Sequence, residues 1–215
     1  MSHGYLVDAA DDLAITYNDR SPLENMHLSE AFKLMRLPGH DILGNMEASE
    51  RKQLRKLVID MVLSTDMTVH FSHLSTLEAK LTSHDGQPIA LDMAKPDDRS
   101  LVLETALHTA DLNGPAAKWE HHNVWTDRVT EEFFQEGDKR KAGKLMLPPF
   151  MDREKPPPKP AFQMGFINAI VSPLYNAFAR VPHLNVKMCT DQIAFNHAQW
   201  QGMITAASTA EGGAK

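Results

Sequence analysis

The 215-residue sequence is notable first for what it has little of. A single cysteine excludes a disulfide framework and a multi-cysteine zinc site, and it fits a reducing compartment. No apolar run approaches the ~20 residues needed to span a bilayer. The longest, Leu57 to Leu63, is broken by Asp60. The opening MSHGYLVDAADD has neither a basic start nor a long apolar stretch, so it is not read as a signal peptide. Basic charge is in deficit, with 22 Lys and Arg against 28 Asp and Glu and a formal net charge of -6. That balance argues against a general nucleic-acid binder, which needs a cationic surface. Gly-rich phosphate loops, a nucleophile elbow and a well-spaced Cys/His pair are all missing. Strand signals are nearly absent and there is no internal repeat. These absences leave a cytoplasmic, membrane-free, all-α chain as the expectation.

The content is that of an ordinary globular chain, 42% hydrophobic and 23% charged, too apolar for a disordered one. Its length suits one domain or part of a larger one. Ser21-Pro22-Leu23-Glu24 reads as a capping box with Pro at the first helical position, opening a helix to about Arg36 that Leu37-Pro38-Gly39 ends. A second helix is predicted from Ala48 or Ser49, its stripe formed by Leu54, Leu57, Val58, Met61, Val62, Thr65, Val69 and His73. His84 to Pro88 is a turn cluster. A third helix is expected over Pro96 to Ala110, with Asp97 and Asp98 favoured in its first turn by the helix dipole. A fourth carries Trp119, Trp125, Val129, Phe133 and Phe134 and ends by Gly137. The proline-rich stretch 147–160 predicts an extended loop. A fifth helix spans about Ala161 to Ala179, with a kink at Pro173. A last one covers about Asn185 to Met203, before a small, polar tail from Thr205 that is expected to be disordered.

Four places combine polar groups with apolar surroundings. His108 and Asp111, three apart on one helix face, could share a metal ion, although such pairs more often serve as caps. Glu24 and His27 have the same spacing; the commoner explanation is a cap and a core histidine. Asp66 falls inside an apolar helical pattern, so it either turns to solvent or is held by partners. Gln163 stands beside Phe162 and three before Phe166. Its amide could read the edge of a planar base while a ring stacks on the face, or it could be a solvated helix residue. The pair His121-His122 reads as helix surface.

In order, these segments resemble the class I cyclic nucleotide phosphodiesterases. Tyr17-Asn18-Asp19-Arg20-Ser21-Pro22-Leu23-Glu24-Asn25-Met26-His27 is similar to the YNDxSxLENxH motif of that family. Val58 to Met67 resembles its long-helix motif, and His108-Thr109-Ala110-Asp111 its H-x-A-D segment. Trp125-Thr126-Asp127-Arg128 through Lys139 resembles WTDRxxEEFFxQGDK, and Gln163-Met164-Gly165-Phe166-Ile167 resembles QxGFI. The likeness runs from about Tyr5 to Met203.

The resemblance implies a multi-helix HD-type catalytic fold over 1–204 and hydrolysis of the cyclic phosphodiester of cAMP or cGMP. Zinc and magnesium (or manganese) would share an attacking hydroxide. Asp111 matches the zinc-binding aspartate. Glu24 and Thr65 match residues that hold waters of the second metal, and His27 sits in the same shell. Gln163 matches the purine-binding glutamine, Phe166 and Val129 the two faces of the base clamp, and Phe133 a residue of the same pocket. The family often places a purine-contacting asparagine before the proline of ADxxNP; here Gly114 stands there, and Asn113, one earlier, is the candidate for that contact. The HNxxH segment and HD pair of the family, which supply the general acid and most metal ligands, have no match in the chain. The resemblance therefore implies a chain cut inside the catalytic domain. As a zinc site wants three or four protein ligands, the isolated chain is expected to be inactive and to hold neither metal tightly. A non-catalytic remnant that binds nucleotide or a partner is the alternative.

Overall fold

Caps and prolines decide where each helix begins. A computed structural model describes residues 1–82 and 91–212, with side chains as far as 209. The turn expected at His84 to Pro88 lies outside the described residues. Helices joined by loops and short 3-10 and π turns make up the described structure, and no strand occurs among the described residues. They are α1 (His3–Asp8), α2 (Asp12–Thr16), α3 (Pro22–Leu34), α4 (Ala48–Leu63), α5 (His70–Leu81), α6 (Pro96–Asp111), α7 (Trp119–Ala142), α8 (Lys159–Phe166), α9 (Ser172–Phe178) and α10 (Lys187–Gly212). The chain forms two compact units, Met1–His108 and Thr109–Lys215.

In the first unit α3 does start after Ser21, but the capping box does not form. Ser21 has a left-handed φ of 43°, and its hydroxyl caps nothing in α3. It donates instead to Asp66 Oδ2 at 2.7 Å. A capping box does open α4, between Glu47 and Glu50. The apolar stripe predicted to run on to His73 is interrupted: α4 stops at Leu63, a 3-10 turn follows at Met67–Val69, and α5 begins at His70. Asp66 causes the break. Its carboxylate caps the Met67–Val69 turn by accepting from Thr68 N–H, which a helix interior could not offer it. The interior combines Leu6, Ala14, Leu28, Leu74, Leu77 and Leu81 with fully buried His70 and His108. Asp98 is no solvated first-turn carboxylate. It is 2% exposed, pairs with Lys80 at 2.9 Å and accepts from Asp92 N–H.

In the second unit Gly137 does not stop α7. The helix runs on to Ala142 because Gly137 is a contact point: a Cβ there would lie 2.0 Å from the Met151 carbonyl oxygen. The 3-10 turn Pro149–Met151 thus sits directly against α7. The kink expected at Pro173 takes the form of a π turn, Ile167–Val171, between α8 and α9. Proline lacks an N–H and crowds the carbonyl four residues back, and one wider turn absorbs both. Ile167, Val171, Tyr175, Ile193 and Trp200 form the core. The buried Tyr175 hydroxyl donates to Thr109 O at 2.7 Å, and burial pushes its pKa up to about 12. α10 continues to Gly212, past the tail expected from Thr205. The alanines there favour helix and the small polar residues do not prevent it.

Candidate functional site

The second unit contains a cavity of about 590 Å³. α7 places Trp125, Thr126, Val129 and Phe133 along it, and α8 places Phe162, Gln163 and Phe166. Phe150, brought in by the turn that Gly137 admits, meets Phe133 edge-on at 5.2 Å and stacks on Phe162 at 5.6 Å. The lining is mostly hydrocarbon with few polar groups, the usual make-up of a small-molecule site. Gln163 is buried, and its amide has no hydrogen-bond partner among the described residues. An amide left free of protein partners can meet the donor and acceptor edge of a ligand. Asp111 ends α6 at the rim of this cavity. The residue is largely exposed, yet partial burial raises its carboxyl above the ordinary value. Gly114 lines the cavity and Asn113 does not. Asn113 is exposed, and its carbonyl accepts from Ala116 N–H.

His122 corrects the sequence reading. It is no surface residue but 2% exposed, lines the cavity, and accepts a hydrogen bond from buried Trp200 Nε1 at 2.9 Å. A signal was available. His122, Thr126, Val129 and Phe133 fall on one face of α7 by the 3–4 residue rule.

The first unit contains a separate polar cluster. His3, Glu24 and Asp66 each offer a ligand atom, and these atoms all lie within 4.8 Å of one another. Asp66 is 3% exposed and accepts from Ser21, from Thr68 N–H and from His3 Nδ1 at 3.2 Å. Burial alone would raise its carboxyl. The hydrogen bonds from Thr68 and Ser21 and the charge of His3 outweigh it, so the net direction is downward and the group is a carboxylate. Glu24 goes the other way. Burial raises it and the Asp66 charge adds to that, while a hydrogen bond from its own backbone N–H and the nearby His3 and His27 only partly oppose. Glu24 Oε2 is buried without a partner. Thr65 is half-buried, donates to Val62 O at 2.7 Å, and is not a member of the group. His27 is exposed. The sequence missed His3, which sits in a segment read only for leader character, and left the state of Asp66 open.

The donor sets can be tested against the metals the resemblance implies. One imidazole and two carboxylates, one with a free buried oxygen, suit a hydrated divalent cation. Asp111 belongs to no group of three such ligands among the described residues, and one carboxylate does not make a zinc site.

The family model described as 3′5′-cyclic nucleotide phosphodiesterase matches residues 1–193, and the chain belongs to that family. It is 37% identical over 206 residues to the 3′,5′-cyclic-AMP phosphodiesterase, isoform F, of Drosophila melanogaster, covering 95% of this chain and 31% of that protein. It is 35% identical over 205 residues to the 3′,5′-cyclic-AMP phosphodiesterase 4C of Mus musculus, covering 95% of this chain and 30% of that one. The chain thus spans about a third of these curated relatives. Among solved structures it is similar to the phosphodiesterase domain of the RhoPDE fusion protein from the choanoflagellate Salpingoeca rosetta. The TM-score is 0.85 at 29% identity, over 97% of this chain and 65% of that one. The all-α phosphodiesterase fold follows. Among the described residues no helix is long and apolar enough to cross a membrane.

Proposed function

We propose that the cavity of the second unit binds the purine of a 3′,5′-cyclic nucleotide, and that the chain supplies this subsite to a cytoplasmic phosphodiesterase that hydrolyses cAMP, cGMP or both. One observation carries the reading: Gln163, its amide without a partner among the described residues, lines a cavity walled by Phe166, Phe133 and Val129. Aromatic and branched walls take the faces of a base and the amide takes its edge. Asn113 has no part in this site as we read it, and Gly114 forms the wall instead. Asp111, at the rim, is one ligand toward zinc. Glu24, His3 and Asp66, with Thr65 next to Asp66 in sequence, orient a hydrated magnesium or manganese ion, and exposed His27 stands outside that group. The bound metals would supply an activated water and stabilise charge on phosphorus. On its own residues the chain binds nucleotide and does not turn it over, because Asp111 alone does not fit zinc.

Calorimetry of the purified chain with cAMP and with cGMP tests this. Saturable binding without release of 5′-nucleotide is the expected result. Gln163→Ala should weaken binding by about 1–3 kcal/mol, or roughly 5- to 150-fold, with the melting temperature little changed. Equal affinity in wild type and Gln163→Ala would remove the glutamine from the site.

A further inference from the structure

Beyond the cavity itself, the surroundings of Gly114 are built with more polar order than a passive wall needs. α10 presents Gln192, Asn196 and Trp200, each four residues from the next and therefore on one face. Gln192 Nε2 donates to Asn196 Oδ1 at 3.0 Å. Asn196 Nδ2 donates to Pro115 O and to Ala117 O, both at 2.8 Å. Trp200 Nε1 donates to His122 Nε2 at 2.9 Å. Asn196 and Trp200 are 0% and 1% exposed, and the bonds to Pro115 O and His122 are buried.

The chemistry of the last bond fixes a proton. An indole nitrogen can only donate, so His122 Nε2 must carry the lone pair and Nδ1 the hydrogen. The ring has the Gly114 carbonyl as a hydrogen-bond partner, and Nδ1–H is the donor left to serve it. The turn Gly114–Ala116 and the residue after it are thus held at three carbonyls, two by Asn196 and one by His122. Gly114 and Pro115 both line the cavity.

We propose that His122 is a positioning residue for the nucleotide cavity: as the Nδ1–H tautomer locked by Trp200, it holds the Gly114–Pro115 wall in place and so sets ligand affinity. The proposal rests on the purine reading above for its ligand and on the hydrogen bonds alone for its geometry. It carries a charge condition. A protonated imidazole would aim an N–H at the Trp200 N–H, two donors with no acceptor between them, and the bond would break. Burial already pushes the His122 ring below its ordinary value; the Gly114 carbonyl opposes this less strongly, and the charge of Lys159 adds to the lowering. Asp111, on the cavity rim, is the other titratable group lining that wall. Asp127 carries charge nearby but is paired to Lys159.

Two measurements on the 215-residue chain decide it. The first uses no ligand: amide exchange at Ala116 and Ala117, whose N–H groups bond Asn113 O and Gly114 O. His122→Phe and Trp200→Phe should each speed exchange there about tenfold while His122→Gln, which can still donate and accept, stays near wild type. Unchanged exchange in both phenylalanine variants overturns the proposal. The second is calorimetric titration with cAMP. His122→Phe and Trp200→Phe should bind about five- to tenfold more weakly at pH 7.5, the loss of one buried hydrogen bond. His122→Gln should keep wild-type affinity and lose the decline that wild type shows toward pH 5.5. Wild-type affinity in both phenylalanine variants, or the same acid decline in His122→Gln, also overturns it. Should His122→Phe fail to fold, Trp200→Phe removes the donor and some ring volume while leaving His122 itself in place. Wild type that binds neither cAMP nor cGMP sinks the purine reading, and the exchange result still decides the brace.

Discussion

The two units solve the problem of a helical interior differently. The second is built around apolar bulk: Ile167, Val171, Tyr175, Ile193 and Trp200 close on one another, and buried polar bonds lie on one face of α10, from the Tyr175 hydroxyl to Thr109 O, and in the Glu136–Arg140 pair of α7. The first buries charge and imidazole in its interior. Asp66, Asp98, His70 and His108 are all at most 3% exposed, and α4 has no fully buried residue at all. Apolar packing tolerates small changes in proportion to volume lost. A buried carboxylate or imidazole pair is held by a few directed bonds, and it fails abruptly when one partner goes or one proton arrives. The first unit should therefore be the part that single substitutions and acid break, and the second the part that mutations of the cavity leave folded.

The largest effect is expected at Asp66. It accepts from Ser21, His3 and Thr68, and it ends the α4 helical run. Asp66→Ala leaves three donors unmatched and should cost on the order of 3–4 kcal/mol. For a chain of this size that lowers the melting temperature by about 10 °C. A loss below 1 kcal/mol by urea titration would show that the bonds are not what holds the turn.

Acid comes next. His70 Nδ1 and His108 Nε2 lie 2.8 Å apart, and the outer nitrogens, His70 Nε2 and His108 Nδ1, are buried without partners. His73 Nε2 donates to Thr105, whose own hydroxyl is donated to Leu101 O. Burial and then the neighbouring His70 and His73 push His108 down to about 4 from 6.5. The folded state therefore binds fewer protons than the unfolded one between those limits. Stability is intact above pH 6.5, falls as pH drops toward 4, and levels off for this group below that, a loss on the order of 3 kcal/mol. Asp66 adds a further loss at lower pH, as its lowered carboxyl finally takes a proton. His108→Asn should flatten the upper part of the curve in urea titrations from pH 7.5 to 4.5. An unflattened curve would move the acid sensitivity elsewhere.

Gly137→Ala asks whether the second unit is as tolerant as the comparison claims. The new Cβ would meet backbone at the Met151 carbonyl, at 2.0 Å, so the turn that brings in Phe150 must shift. About 2 kcal/mol is expected. Loss of Phe150 from the cavity should weaken nucleotide binding beyond what the change in melting temperature explains.

Much of this was legible in the sequence. Helical periodicity located α3, α4, α6, α7 and α10 to within a few residues at most ends. Gln163, Phe166, Val129 and Phe133, named as a set from their resemblance to family motifs, line one cavity. What could not be read has a common physical cause. Ser21, His3 and Asp66 are 18 to 63 residues apart in sequence and meet only in the fold. Their local signals, a cap and a helix interior, pointed to other partners. Gly137 looked like a stop because glycine usually is one, and only the approach of Met151 explains it. His122 looked polar and therefore exposed. An imidazole with both nitrogens matched can be buried as readily as an aromatic ring.

The smallest effect tests the metal reading at Glu24. Its Oε2 is buried with no partner, and its carboxyl is raised by burial and by the charge of Asp66. Two carboxylates and a histidine offer ligand atoms within 4.8 Å of one another, and the raised Glu24 carboxyl is the one a nearby cation would ease. Glu24→Gln removes the strained charge and keeps the shape. In a metal-free buffer it should stabilise the chain slightly, by about 0.5–1 kcal/mol, while abolishing any rise in melting temperature with added magnesium or manganese. If Glu24→Gln instead destabilises the metal-free chain, the carboxylate is there to hold His3 and the turn before α3, and the first unit is a structural polar core with no cation to orient.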